Sequence, residues 1–258
     1  MGIEKINAAL RVYKNSGARG VMIRIMRNIT KSFQNSKPLP EIWTGYMSWL
    51  TYVNAGMFNR GNAFCFDYAI RNLPSDAPIV EIGSFCGLST NMITYLKEKY
   101  GVKNRLITCD KWVFEGSDQV YMGDSKISHA EYRQFVKETF IRNIKMFSRN
   151  DLPYTIEMFS DDFFNSWRNS EKHTDVFGRE IQLGGPISFC YIDGNHSYEY
   201  AKRDFENCDA HLEPGGFILF DDSSDGSEWE VCKVVKEVGK TGRFKLVTKN
   251  PNYFFVKK

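Results

Sequence analysis

From residue 78 onward, short apolar runs alternate with longer amphipathic segments. This alternation restricts the fold more than any other feature of the 258-residue chain. PIVEIG, RLITCD, YTIEMF, ISFCYIDG and PGGFILFDD are short, nearly continuous apolar runs, which is how strands buried on both faces read. LSTNMITYLKEKY, HAEYRQFVKETFIRNIKMF, DDFFNSWRN and YEYAKRDFENCDAHL stand between them as helices, and SEWEVCKVVKEVG follows the last strand. Strands alternating with helices imply an α/β fold with a Rossmann-like, doubly wound, mostly parallel sheet. FKLVTK and YFFVKK, joined by NPN, add an antiparallel C-terminal hairpin. The expected organisation is an α/β domain over residues 74–258 and an N-terminal helical extension and lid over 1–73.

Within that extension, residues 1–35 carry Lys5, Arg11, Lys14, Arg19, Arg24, Arg27 and Lys31 against one acid, Glu4. Ile3, Ile6, Leu10 and Val12 form one apolar set, and Val21, Ile23, Ile25, Met26 and Ile29 a second. Such a segment suits docking on the core or on a second copy in a homo-oligomer, or peripheral contact with an anionic membrane. Packing is the preferred reading, because most amphipathic helices face a core. The two prolines of SKPLPEIW mark a linker. Beyond it, Trp43, Tyr46, Trp49, Tyr52 and Phe58 recur at near-helical spacing and are expected to pack as core.

The net charge of +3 is small, and the basic residues do not gather around the core motifs, so nucleic acid is not an expected partner. None of the six cysteines forms a CxxC pair; they read as small buried hydrophobes with reduced thiols, as in a cytoplasmic protein. No apolar leader and no run of about eighteen apolar residues is visible, so no signal peptide or membrane span is expected.

Four motifs fall where the strands end. Glu81-Ile-Gly83-Ser84-Phe-Cys-Gly87 follows the first strand. Glycines there allow a tight turn and close approach of a ligand to backbone N–H groups. A carboxylate beside such a turn is a poor neighbour for a pyrophosphate but suits an ammonium. Asp110 ends the second strand, where an acid can accept hydrogen bonds from ribose hydroxyls. Asp193-Gly-Asn195-His196-Ser-Tyr198 follows the fourth strand and Asp221-Asp222 the fifth. Strand ends converge at one crevice, and clustered like charges there call for a cation; oxygen ligands favour Mg, Ca or Mn. Lys202, Arg203 and Asp204, on the helix after the fourth strand, read as a solvated surface.

VEIGSFCGLST, LITCD, YIDGNHSYEYAKRDF and LEPGGFILFDD, in that order, resemble class I S-adenosylmethionine-dependent methyltransferases. DGxHSYE and PGGFxxxDD are especially similar to the macrocin O-methyltransferase-like small-molecule enzymes. The resemblance covers roughly residues 75–257 and includes an antiparallel last strand. It implies transfer of a methyl group from S-adenosylmethionine to a hydroxyl of a small-molecule acceptor, a sugar or glycan being one class. Glu81, Gly83, Ser84, Gly87 and Ser89 would hold the methionine end of the cofactor, Asp110 its ribose, and Ser160 and Asp161 would lie near its adenine. Asp193, Asp221 and Asp222 would match a divalent-metal site, Mg being the expected ion. Some relatives place an acid two residues after the first Asp as a base. Here that position is Asn195, which takes no proton, so His196 is the expected base beside Asp193. Two alternatives stand at this point. One is an NAD-dependent reductase, which the Glu before the first glycine and the final hairpin argue against. The other is a non-catalytic binding protein on the same fold.

Overall fold

The computed structural model describes residues 42–114 and 116–258. The basic stretch 1–35 and the linker after it, up to Glu41, therefore lie outside the described residues. In chain order the elements are α1 (Gly45–Val53), α2 (Arg60–Arg71), β1 (Ile79–Ile82), α3 (Leu88–Tyr100), β2 (Leu106–Cys109), α4 (His129–Phe147), β3 (Tyr154–Ile156), α5 (Ser160–Arg168), β4 (Lys172–Thr174), β5 (Glu180–Gln182), β6 (Ile187–Ile192), α6 (Tyr198–His211), β7 (Leu212–Phe220), α7 (Val231–Val238), β8 (Phe244–Lys249) and β9 (Tyr253–Lys257).

Seven strands form one sheet in the order β3-β2-β1-β6-β7-β9-β8. The first five are parallel, β9 runs antiparallel to β7, and β8 closes the hairpin. This is the expected Rossmann-like sheet with its antiparallel C-terminal strands. Every residue of β1, β2 and β6 is buried, because helices cover both faces. Alternate strand residues divide the core in two. Val80, Ile107, Cys190 and Ile218 pack with α5, α6 and α7. Ile79, Leu106, Phe189 and Leu219 pack with α1, α2 and α3. Local signals start the helices: Thr44 accepts from the Met47 N–H at 3.2 Å, and Ser128 with Glu131 makes a reciprocal capping box on α4.

Three expectations are corrected. Trp43, Tyr46 and Phe58 do pack against the core, but Trp49 and Tyr52 are 48% and 88% exposed. Helix α1 is short and buries only Met47 and Leu50; Trp49 sits at the margin, its ring edge-on to Phe147 at 5.7 Å, and Tyr52 points away from the core. Asp204 is buried rather than solvated, while its neighbours Lys202 and Arg203 reach outward to Glu237 and Asp161. Finally, β4 and β5 form a ribbon that no apolar pattern announces. Arg179 fastens it, pairing with Asp175, donating to the Leu152 carbonyl at 3.0 Å and lying 4.2 Å from the Tyr154 ring. The Val176 N–H donates to the Thr155 carbonyl, which sets the ribbon along the outer edge of β3.

Candidate active site

The strand order reverses between β1 and β6, so their carboxyl ends lie side by side and open a crevice. Gly83 makes that approach possible. Its φ is +78°, and a Cβ there would sit 2.0 Å from the Asp193 carbonyl oxygen. The glycine expected to admit a ligand thus also admits the neighbouring turn.

On the β1–β2 side, the polar groups are wired to one another. Glu81 is fully buried and accepts from Ser89 Oγ at 2.5 Å and Thr90 Oγ1 at 2.6 Å. Burial pushes its carboxyl up to about 7, against the pull of the two hydroxyls. A carboxyl so placed shares its proton near neutral pH, and a cation arriving beside it would favour the ionised form. Asp110 Oδ2 accepts from the Ser84 and Phe85 N–H groups at 2.8 and 2.9 Å, and Oδ1 from the Trp112 N–H at 2.6 Å. Burial raises this carboxyl and the backbone donors lower it. Two N–H groups of the glycine turn, expected to face a ligand, are therefore already engaged by Asp110. Gly87, also left-handed, begins α3 and donates to the Ser84 carbonyl. Phe85 and Trp112 hold left-handed φ values of 44° and 51°, and Trp112 Nε1 donates to the Phe85 carbonyl.

Ser160 and Asp161 stand at the start of α5, as the third strand end requires, but they tie α5 to α6. Asp161 pairs with Arg203 at 3.1 Å and accepts from Asn207. Ser160 bonds to the Asp204 carboxyl, which burial pushes up to about 7. Asp204 Oδ2 lies 3.0 Å from where a Gly194 Cβ would stand, directly behind the Asp193 turn.

On the β6–β7 side, the expected trio of Asp193, Asp221 and Asp222 is regrouped. Asp221 is buried and spent: Oδ1 accepts from Asn62 and Asn252, and Oδ2 from the Tyr191 hydroxyl at 2.6 Å. Among the described residues, Asp193, His196 and Asp222 are the groups whose ligand atoms lie within 4.8 Å of one another. His196 Nε2 lies 3.1 Å from Asp222 Oδ2. Burial, then the negative Asp221, Asp222 and Glu81, hold the Asp193 carboxyl well above the usual range. The two carboxylates of this cluster fit a divalent cation, which would relieve their repulsion, with the imidazole beside them on Asp222. Asn195 does not join them; its Oδ1 caps the turn by accepting from the Ser197 N–H. Asp222 reaches the cluster through a left-handed backbone, φ 48°.

Four residues here carry no signal in the sequence. Tyr191 reads as core inside an apolar run, and it bridges Asp221 to Asp193, 3.2 Å away. Asn62 and Asn252 lie 190 positions apart and meet only through the fold. Trp229 lies against His196, the ring centroids 4.5 Å apart and the planes tilted by 32°.

The sequence pattern of the family described as a methyltransferase domain matches residues 80–223, more than half of the chain. The chain belongs to this methyltransferase domain family. That membership sets aside the NAD-dependent reductase reading. Solved structures agree in fold. The O-methyltransferase from Bacillus cereus in complex with SAH is 17% identical, with 89% of this chain and 97% of that chain covered and a TM-score of 0.52. The calicheamicin methyltransferase CalS11 is also 17% identical, covering 90% of each chain, at 0.53. TomG from Streptomyces achromogenes, an O-methyltransferase in complex with SAM, is 12% identical, covering 89% and 95%, at 0.51. Likeness at these identities shows a shared fold, that of class I methyltransferases. No curated protein matches this methyltransferase in sequence. No helix among its described residues is long and apolar enough to cross a membrane.

Proposed function

We propose that this methyltransferase moves a methyl group from S-adenosylmethionine to a hydroxyl of a small molecule, a sugar or glycan being the leading class. The observation that carries the reading is the pairing of two unlike half-sites across the β1–β6 junction. Glu81 and Asp110 end adjacent strands on one side, and Asp193, His196 and Asp222 face them on the other. The sugar assignment draws on CalS11, whose structure is described as a TDP-rhamnose 3'-O-methyltransferase.

In the reaction, an acceptor oxygen forms a bond to the methyl carbon as the carbon–sulfur bond breaks. The electron pair stays on sulfur and yields S-adenosylhomocysteine. Glu81 would hold the ammonium of the cofactor and Asp110 its ribose. A divalent cation held by Asp193 and Asp222 would lower the pKa of the acceptor hydroxyl and orient it. His196 takes the hydroxyl proton, imidazole being the side chain that changes protonation near neutral pH. Asp222, 3.1 Å from its Nε2, fixes the ring.

Calorimetry and thermal melts test the cofactor. S-adenosylhomocysteine should bind and raise Tm, as any ligand of the native state does, and NADH should do neither. Tight NADH binding without S-adenosylhomocysteine binding overturns the reading. Labelled S-adenosylmethionine with a panel of nucleotide sugars then identifies the acceptor.

A further inference from the structure

The loop between β7 and α7 presents a tryptophan that neither the fold nor the chemistry above requires. Trp229 is 41% exposed, and its ring lies 4.5 Å from the His196 imidazole at 32°. Its position is built. The Glu230 N–H donates to the His196 carbonyl at 3.1 Å, and Glu230 Oε2 accepts from the Tyr198 N–H at 3.0 Å. These two bonds lace the 227–230 loop to the 195–198 turn. Ser227 Oγ accepts from the Trp229 N–H at 3.2 Å and holds the loop from its other end. Among the described residues, the indole Nε1–H has no hydrogen-bond partner, and the His196 ring lies tilted against Trp229. This indole keeps 41% of its surface exposed at rest, beside the groups that would meet the acceptor.

We propose that Trp229 is a specificity-determining residue, an aromatic wall against which the acceptor lays a ring face while its hydroxyl reaches His196. The inference rests on the proposed methyl transfer and deepens it by naming the acceptor chemistry. A flat apolar face carries at least one hydroxyl, as on a pyranose or an arene, and an open-chain polyol is refused. Both ring types can stack on an indole, through C–H groups or π density, and its spare N–H can donate to a ring substituent.

The test uses the full chain saturated with S-adenosylhomocysteine and titrated by calorimetry with methyl α-L-rhamnopyranoside, catechol and mannitol. The first two separate the pyranose from the arene. At least one ring probe should bind and mannitol should not. Trp229→Ala and Trp229→Leu should each weaken that probe about tenfold or more, a ring-stacking contact plus its burial being worth that much. Trp229→Phe should stay within about threefold, since it keeps the ring. S-adenosylhomocysteine affinity serves as the folding control and should not change in any variant. In turnover with an acceptor, Trp229→Leu should raise KM and leave kcat nearly as it was. Equal binding of the ring probes by Trp229→Leu and the parent overturns the proposal. So does binding of mannitol as tight as theirs, no binding of either ring probe, or a fall in kcat with KM unmoved. Failure to bind S-adenosylhomocysteine at all would instead sink the methyl-transfer reading.

Discussion

The two half-sites of the crevice are made differently. On the β1–β2 side the acids are buried and anchored by short bonds, Asp110 to the turn and Glu81 to the start of α3, so geometry there belongs to the sheet and the helix it feeds. On the β6–β7 side the acting groups are partly exposed and stand on turns and a loop from separate elements. A cofactor common to a family needs one fixed cradle. An acceptor that differs between enzymes needs a wall that can change without disturbing the strands. The neighbours Asp221 and Asp222 show the boundary within two residues, one locked beneath the site and one turned into it.

The sharpest way to break this contrast is at Gly83. Gly83→Ala forces a Cβ against the Asp193 carbonyl and a left-handed backbone on alanine. It should cost about 3 kcal/mol and lower Tm by about 6–12 °C. Gly178→Ala has a similar φ but open space, and should cost about 1 kcal/mol. Equal melts for the two would mean that the turns are not pressed together.

Next comes the Asp221–Asp222 pair. Asp221→Ala strands Asn62, Asn252 and the Tyr191 hydroxyl in the core and should cost about 3 kcal/mol in a denaturant melt. Asp222→Ala should change stability by about 0.5 kcal/mol or less and abolish turnover. A folded, active Asp222→Ala protein would remove that carboxylate from the chemistry. Activity should also fall with EDTA and return with Mg or Mn; full activity in metal-free buffer would strike the cation from the proposal.

The smallest effect is one of slope. Glu81 ionises near 4.5 in the unfolded chain and at about 7 in the fold, so the native state holds the extra proton between those values. Its contribution to apo stability is fully present below pH 4.5 and is lost as pH rises to about 7. Glu81→Gln should flatten part of that decline, the raised Asp193 and Asp204 sharing the rest. S-adenosylhomocysteine should offset the decline in the parent protein only. An unchanged slope in Glu81→Gln would show that Glu81 is not the group being titrated.

These residues also show what a sequence can reveal. β1, β2, β6 and β7 were legible because burial on both faces writes continuous apolar runs, and the acids at their ends were legible by position alone. The ribbon β4–β5 was not, since KHT and EIQ expose most of their side chains and are held by Arg179 rather than by apolar burial. Nor was the division of labour between Asp221 and Asp222. It depends on Asn62 and Asn252, which no local pattern links to the DD pair. Asp204 misled for a related reason: its flanking charges are solvated, and only the packing of α6 behind Gly194 shows that it is not.

Phe85, Trp112 and Asp222 are three of the four non-glycine residues held at positive φ among those described, and all three border the crevice. A glycine relaxes a left-handed backbone by about 1 kcal/mol. At Trp112, whose ring is fully buried, losing the side chain would cost about 3–5 kcal/mol, far more than that relief. At Asp222, where the side chain is half-exposed, the gain would be real but would loosen the turn that aims a site group. Thermostable descendants of this enzyme should therefore accumulate their stabilising changes elsewhere and leave these three strained.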